Sequence, residues 1–281
     1  MAVRPIGWRM RRSVCACAAA TARRTSALRG TPYAALPIVS AVAPFKAGGR
    51  SGPSNYVDIP AGELALRHVS DMYFYPNMTV ALLLSGAELR QWLERSASIF
   101  AQQTADGILR DLIEPAAAPY MFEILYGLRY SFDLSVPARF QLDGPEIDPR
   151  RARVRRLDLG GAPLKDDAQV IVCTNSFRAS GGGDFAGARP ERIVHNDHSV
   201  ARDVLRRFIR EAGSVAPSAA APFCFEPLDG ARALLSTGPG ARDHLGDLSH
   251  FRARDHGVDA RGFLRIEVDL GGPEPAPEFA R

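Results

Sequence analysis

The stretch VIVCTNSFRASGGGDF, residues 170–185, joins a continuous apolar run to a loop of three consecutive glycines. The apolar run predicts a buried strand. Phe177 follows that strand closely, and Gly181, Gly182 and Gly183 then supply backbone that can adopt positive φ and approach a ligand. An aromatic ring beside such a loop suits a flat ligand such as a nucleobase. We therefore expect a ligand-binding site at this strand end.

The glycines alone leave two other interpretations open. Gly181, Gly183 and Ala186 fit the relaxed dinucleotide fingerprint G-x-G-x-x-A, which requires a helix to begin at once beneath a pyrophosphate. Gly187 and Pro190 follow instead, which disfavours a helix there. The remaining alternative is a plain surface loop without a ligand.

Hydrophobic periodicity around this stretch predicts an α+β fold, with mixed sheets and amphipathic helices. The sequence Ser85-Gly86-Ala87-Glu88 fits a capping box and predicts the start of one helix. A second helix is expected over about 199–212. Alternation and the Gly160-Gly161 turn favour a hairpin between 154–159 and 170–174. Further strands are expected at 38–42, 78–84, 122–134 (with a bend at Gly127), 232–236 and 264–270.

The 281-residue chain has a net charge of +4, but this charge comes from its first 30 residues. That segment carries seven Arg and no acid, and without it 28 basic residues face 31 acidic ones. A slightly acidic body argues against a nucleic-acid polymer as partner. No apolar stretch of the sequence is long enough to span a membrane. Cys173 and Cys224 are flanked by apolar residues, which predicts buried thiols.

The composition divides the chain into a domain over residues 31–270 and two terminal segments. For residues 1–30 three interpretations stay open: an export signal, an Arg-rich organelle transit peptide, or unrelated sequence joined to a truncated gene. We expect this segment to lie outside the folded domain. The Pro-rich residues 271–281 are expected to be a disordered tail.

Motifs of known catalytic chemistry are sparse. The sequence contains no G-x-S-x-G nucleophile elbow and no P-loop. His195 and His198 precede the second predicted helix and could contribute to a metal site, which would need further ligands. Capping of that helix by Asp197 or Ser199 explains the same cluster without a metal. Ligand binding is therefore the better guide to function.

A second aromatic segment, Tyr73-Phe74-Tyr75-Pro76-Asn77, lies directly before the strand expected at 78–84. The Pro76-Asn77 turn favours a surface position for Tyr75. Core packing at a strand end explains Tyr75 and Phe177 as well as ligand stacking does. The residue types alone leave that choice open.

Over roughly residues 31–270 the chain resembles the C-terminal domain of the 5′-nucleotidase family, most closely its 2′,3′-cyclic-nucleotide 2′-phosphodiesterase/3′-nucleotidase branch. The blocks that carry the resemblance keep their order and spacing. They are APFKAGGR (43–50), DMYFYPNMTV (71–80), LSGAELRQWLERSA (84–97), FEILYGLRYSFDLSVPARF (122–140) and TNSFRASGGGDFAG (174–187).

The resemblance implies that this domain binds nucleotides or nucleosides. By position in the blocks, Tyr75 and Phe177 would stack on the two faces of the base, and Arg50 would contact the substrate near the sugar and phosphate. The loop from Gly181 to Asp184 falls where related enzymes place a ribose-contacting acid. Such a sandwich gains about 1–3 kcal/mol per stacked face, largely regardless of the base.

Catalysis in that family resides in an N-terminal metallophosphoesterase domain with two divalent metals and the motifs D-x-H, G-N-H-[DE] and G-H-x-H. None of these motifs occurs here, so no catalytic residue, metal ligand or cofactor is assigned to this chain. We expect the nucleotide-binding domain of a periplasmic or secreted phosphodiesterase/nucleotidase, acting with a separate metallophosphoesterase domain. The alternatives are an autonomous metal-dependent hydrolase built around His195 and His198, and a non-functional gene remnant.

Overall fold

The computed structural model describes residues 28–216 and 222–271. Within these ranges the strands form two sheets, and the α+β class with mixed sheets is confirmed. The nine strands of the larger sheet are β1 (Ile38–Val42), β2 (Met78–Ser85), β4 (Ile124–Tyr126), β5 (Leu128–Phe132), β6 (Val154–Leu159), β7 (Ala162–Pro163), β8 (Gln169–Asn175), β9 (Ile193–Val200) and β10 (Phe223–Phe225). The four strands of the smaller sheet are β3 (Arg110–Asp111), β11 (Arg232–Thr237), β12 (Arg254–Val258) and β13 (Leu264–Asp269).

The helices of the described residues are few and mostly short. The α-helices are α1 (Leu66–Met72), α2 (Gly86–Ser96), α3 (Ser176–Ala179) and α4 (Ala201–Ala212). Segments of 3₁₀-helix lie at Gly49–Ser51, Ala97–Ile99, Pro119–Met121, Pro190–Arg192 and Pro239–Phe251. In this part of the chain no helix has the length and apolar character needed to cross a membrane.

The larger sheet has the strand order β7-β6-β5-β4-β1-β8-β2-β9, and β10 pairs with β5. Strand β1 runs parallel to β8 and antiparallel to β4, whereas β2 runs antiparallel to both β8 and β9. The smaller sheet has the order β12-β13-β11-β3. Strands β2 and β8 therefore lie side by side near one end of the larger sheet, inside its edge strand β9.

Strands β2 and β8 are almost completely buried, as their continuous apolar sequences predict. Val80 to Leu82 in β2 and Val170 to Cys173 in β8 belong to the core. A strand that is covered on both faces reads as an unbroken apolar run rather than as an alternation. The strand predicted before the glycine loop is thus confirmed.

Helix α2 begins at the predicted capping box. The backbone N–H of Glu88 donates to Ser85 Oγ (3.2 Å), and the Ser85 N–H donates to Glu88 Oε2 (2.8 Å). A Cβ atom at Gly86 would collide with the backbone carbonyl of Lys165, so a side chain is excluded there. Leu89 and Trp92 of this helix are fully buried. The local sequence thus fixes both where α2 starts and which face it turns to the core.

Two further predictions from local pattern are confirmed. Gly127 separates β4 from β5 and has φ 101°, a conformation that L-residues rarely adopt. In β13 the alternating apolar residues Leu264, Ile266 and Val268 are buried. Strand β13 pairs antiparallel with β11 along its whole length.

The hairpin predicted between residues 154–159 and 170–174 is wrong. The Gly160-Gly161 turn joins β6 to the two-residue strand β7, while β8 pairs with β1 and β2. Strand β6 instead lies beside β5. Alternation and a glycine turn identify two strands and a reversal, but they do not identify which strands are neighbours.

The predicted capping of α4 by Asp197 or Ser199 is also wrong. The helix begins at Ala201 after Val200, which makes no side-chain capping bond. The segment before it is strand β9, where Asp197 Oδ1 accepts from the Ser199 N–H (3.0 Å). The Asp side chain therefore stabilises a local turn of its own backbone. The predicted end of the helix at about residue 212 is confirmed, since α4 ends at Ala212 and Gly213 follows it with φ 66°.

Cys173 and Cys224 are not joined in a disulfide. Cys173 is buried in β8, and Cys224 is partly buried in β10. Burial raises the pKa of the Cys224 thiol to about 11. The predictions for residues 1–27 of the N-terminal segment and for residues 272–281 of the tail lie outside the described residues.

Candidate nucleotide-binding site

Tyr75 and Phe177 lie at the same end of the central strand pair. Strands β2 and β8 are antiparallel, with Thr79 opposite Asn175, so the residues before β2 meet the residues after β8. The Met78 N–H donates to Ser176 Oγ (3.0 Å) and ties the two segments together. Tyr75 is 38% exposed and Phe177 is 47% exposed. Both aromatic side chains are thus partly exposed at the same end of the β2–β8 strand pair.

Tyr75 belongs to a cluster of aromatic rings. Its ring lies 4.0 Å from that of Phe74 and 5.2 Å from that of Phe45, with the Phe45 ring meeting it edge-on. Phe45 also packs edge-on against the buried Tyr73, at 5.0 Å. Such packing fixes the orientation of a half-exposed ring. Sequence reasoning singled out Tyr75 but missed Phe45, which lies in the APFKAGGR block.

A buried ion pair lies beneath Phe177. Arg178 Nε donates to Glu123 Oε1 at 2.9 Å, and their side chains are 2% and 1% exposed. The second carboxylate oxygen of Glu123 accepts from Trp92 Nε1 (3.2 Å). The Arg178 guanidinium lies 5.6 Å from the Phe177 ring centroid and 4.2 Å from that of Phe185. Sequence reasoning gave no role to Arg178 or Glu123.

The glycine loop follows helix α3 and packs against Phe177. Gly181 and Gly183 have φ 95° and 77°, and Gly182 has an ordinary φ. A Cβ atom on Gly182 would lie 2.5–2.7 Å from the Phe177 ring, and one on Gly183 would collide with the Arg178 guanidinium. The Gly182 carbonyl accepts from Arg178 Nη1. The loop backbone is therefore in direct contact with both neighbouring side chains.

Asp184 ends the glycine loop and presents its carboxylate to solvent. Its side chain is 90% exposed, and one oxygen accepts from Nη2 of the buried Arg95 (2.9 Å). Arg95 is held in turn by the Gly144 carbonyl (2.5 Å) and by the Phe140 ring, 4.3 Å from the guanidinium. Burial lowers the pKa of Arg95, and the Asp184 charge opposes this. Asp184 keeps a free oxygen that can accept a hydrogen bond from a hydroxyl group.

Arg50 is exposed and connects to the same network through Tyr120. Its Nη2 donates to Tyr120 Oη (3.3 Å), and its guanidinium lies 5.7 Å from the Tyr120 ring centroid. The Tyr120 carbonyl accepts from Arg178 Nη2 (2.8 Å). Arg50 thus connects to the Phe177 side of the site through one intervening residue, Tyr120. A guanidinium placed this way can bind a phosphate oxygen.

A cavity of about 430 Å³ lies next to these residues, between the loop after β1 and the smaller sheet. Phe45 and Pro119 belong to its wall, together with apolar residues such as Ile266. Burial raises the pKa of the Tyr56 phenol in the same wall, opposed by hydrogen bonds to Thr237 and Gly238. The cavity therefore borders the site through Phe45 without containing the predicted contact residues.

The His195 and His198 pair lies on edge strand β9. His195 is opposite Ala81 of β2, and His198 is exposed with φ 57°. Residues 28–216 and 222–271 contain no group of three or more His, Cys, Asp or Glu side chains arranged to hold a metal ion. The described structure therefore brings no further ligands to this pair.

The sequence model of the family described as 5′-nucleotidase, C-terminal domain, matches residues 18–189. The chain belongs to this family. A 2′,3′-cyclic-nucleotide 2′-phosphodiesterase/3′-nucleotidase of Haemophilus influenzae is 33% identical over 249 residues, which are 84% of this chain and 38% of that protein. The trifunctional nucleotide phosphoesterase protein YfkN of Bacillus subtilis is 38% identical over 204 residues, 72% of this chain and 14% of that protein. The chain thus spans well under half the length of either relative.

A solved structure shares the fold. The 5′-nucleotidase precursor of Thermus thermophilus superposes with a TM-score of 0.54 and 20% sequence identity, over 80% of this chain and 38% of that one. At this identity the similarity concerns the fold alone.

Proposed function

We propose that this family domain binds the nucleoside part of a nucleotide, with the base between Tyr75 and Phe177. The main support is that two half-exposed aromatic side chains, far apart in sequence, lie at one end of the β2–β8 pair. The rings of Phe45 and Phe74 pack against Tyr75, and Gly182 and the Arg178 guanidinium lie beside the Phe177 ring. Base stacking tolerates different bases because every base has a π-face.

The polar groups around the aromatic pair fit the rest of a nucleotide. Arg50 supplies an exposed guanidinium that suits phosphate oxygens. Asp184 supplies an exposed carboxylate that can accept from a ribose hydroxyl, and its bond to Arg95 fixes its position. Gly181 and Gly182 supply backbone that a sugar can approach closely. The substrate class is therefore a nucleoside mono- or cyclic phosphate.

Hydrolysis in this proposal belongs to a metallophosphoesterase domain that carries two divalent metals and holds the phosphate. The described part of this chain would serve as the substrate-recognition half of a 2′,3′-cyclic-nucleotide phosphodiesterase/nucleotidase in nucleotide catabolism. We propose a periplasmic or secreted location on the basis of the same family relationship. Polymeric nucleic acids are not expected as partners, because the chain after residue 30 has a slight excess of acidic residues.

Calorimetric titration of the purified chain with adenosine and 3′-AMP tests the proposal. We expect weak binding that Tyr75→Ala and Phe177→Ala each reduce about 5- to 150-fold, the equivalent of one stacked face. Val258→Ala is the matched control, since Val258 is 50% exposed on β12 of the smaller sheet. Equal affinity in the wild type and both aromatic variants would refute the sandwich.

A further inference from the structure

We infer that the buried Glu123–Arg178 ion pair positions the proposed binding site. The pair holds Phe177, the glycine loop and Tyr120, the residue that contacts Arg50, in one fixed arrangement. This inference rests on the proposed function. Neither side chain is accessible, at 1% and 2% exposure, so the role is positioning rather than contact with the ligand. A positioning role explains why two charged side chains are buried here.

Arg178 makes its contacts in three directions. Nε donates to Glu123, Nη1 donates to the Gly182 carbonyl and Nη2 donates to the Tyr120 carbonyl. Its own backbone N–H is capped by Asn175 Oδ1 (2.9 Å) at the end of β8. A planar guanidinium has its donors in a fixed fork, so these partners are held in a fixed mutual geometry.

Glu123 fixes the guanidinium in turn. One oxygen accepts from Arg178 and the other from Trp92 on α2, and the Glu123 N–H donates to Ser96 Oγ (3.2 Å) on the same helix. Both carboxylate oxygens are therefore satisfied by well-packed core groups. A buried ion pair of this kind gives little net stability, because desolvation offsets the attraction between the charges. Fixed geometry at the site is the property that the pair does supply.

Two of the three groups that Arg178 bonds, the Gly182 and Tyr120 carbonyls, belong to residues that adjoin the proposed contact residues. Gly182 contacts the Phe177 ring, and Tyr120 contacts Arg50. Displacement of the guanidinium would therefore move the stacking ring and the phosphate-binding arginine together. Binding sites need such a supporting layer because small displacements of contact groups are costly.

The test compares variants by nucleotide affinity and by hydrogen exchange of the amides in residues 176–186. The first variant combines Arg178→Met with Glu123→Gln, which removes both charges while the Gln carbonyl can still accept from Trp92. The second is Arg178→Lys, which keeps the charge but cannot bond both carbonyls and Glu123 at once. Exchange is informative here because the Gly182 N–H donates to the Phe177 carbonyl (3.0 Å) within the loop.

We expect both variants to fold, to exchange amides 176–186 faster than the wild type, and to lose affinity for 3′-AMP by about 5- to 150-fold. The matched control is Arg153→Met. Arg153 is an equally buried arginine that donates to the carbonyls of Ala97 (2.8 Å) and Phe100 (2.7 Å) in the core. It should lower the melting temperature and leave affinity and exchange in the loop unchanged.

Wild-type exchange and affinity in both folded variants would overturn the inference while the proposed function stands. If the Arg178 variants exchange the loop amides faster but the wild type binds no nucleotide, the proposed function is refuted and the positioning role is supported. If Arg153→Met changed the loop as much as the Arg178 variants do, general destabilisation would explain the effect and the inference would fail. If the double variant fails to fold, Arg178→Lys, which retains the buried charge pair, is compared with the wild type and with Arg153→Met by the same two measurements.

Discussion

A methyl group on Gly182 should weaken nucleotide binding by moving Phe177. The Cβ of Gly182→Ala would lie 2.5–2.7 Å from three atoms of the Phe177 ring, closer than any ordinary contact, so the ring must leave its place. Gly182 has an ordinary φ, and alanine therefore introduces no backbone strain at this position. Loss of one stacked face costs about 1–3 kcal/mol, or about 5- to 150-fold in Kd.

The assay is a double-mutant cycle in Kd for adenosine, with Gly182→Ala, Phe177→Ala and the double variant. If Gly182→Ala acts by displacing the ring, it should cost nothing further once the ring is absent, so the coupling energy should equal about 1–3 kcal/mol. Gly246→Ala is the control, because Gly246 also lacks a positive φ and a Cβ there meets nothing within 4 Å. Additive losses in the double variant, or wild-type affinity in Gly182→Ala, would refute the reasoning.

Three further predictions concern charge, catalysis and thiol reactivity. Arg50→Ala should lower the affinity for 3′-AMP more than the affinity for adenosine, and the difference should shrink as the salt concentration rises. Titrations of both ligands at two ionic strengths check this, and an equal loss for both ligands would mean that Arg50 has a purely structural role. The purified chain should not hydrolyse 2′,3′-cyclic AMP with Mn²⁺, Co²⁺ or Zn²⁺ present, since it lacks the family's metal-binding motifs; metal-dependent turnover that a His195→Ala/His198→Ala variant loses would contradict this. Cys224, with its pKa raised to about 11, should hold about a hundredfold less thiolate at pH 8 than a thiol of pKa 9. Its reaction with a disulfide reagent is followed in a variant that keeps Cys224 alone, with Cys15→Ser, Cys17→Ser and Cys173→Ala. The reaction should be slow in native protein, should quicken as pH rises towards 11, and should be fast in denaturant.

Elements specified by local sequence could be predicted, and elements specified by distant pairing could not. The capping box at Ser85, the bend at Gly127 and the alternation in β13 are each properties of a few consecutive residues. The partners of β6 and β8 are set instead by how the whole sheet buries its apolar strands. A continuous apolar run such as β8 fits any interior position of a sheet, so its pattern could not identify β1 and β2 as its neighbours.

The candidate site divides in the same way. The position of Tyr75 and Phe177 at strand ends could be predicted, because one aromatic residue precedes an apolar run and the other follows one. Their contact with a base stays a prediction. Glu123 could have been noticed as a charge inside the apolar sequence from Met121 to Leu125, since such a charge is normally paired. Its partner Arg178 lies 55 residues further along the chain, and no local signal connects the two. The ion pair therefore became visible only in the fold.

The structure adds a packing reason for the glycines at 181–183. Their sequence suggested a bare backbone open to a ligand. At two of the three positions protein groups also fill the space that a side chain would take, with the Phe177 ring beside Gly182 and the Arg178 guanidinium beside Gly183. A close-packed loop of this kind holds Phe177 in place while leaving 47% of the residue exposed. Preorganisation of a stacking ring in the free protein reduces the entropy lost on binding, so the glycines can favour nucleotide binding through Phe177 as well as through close approach of the sugar to their backbone.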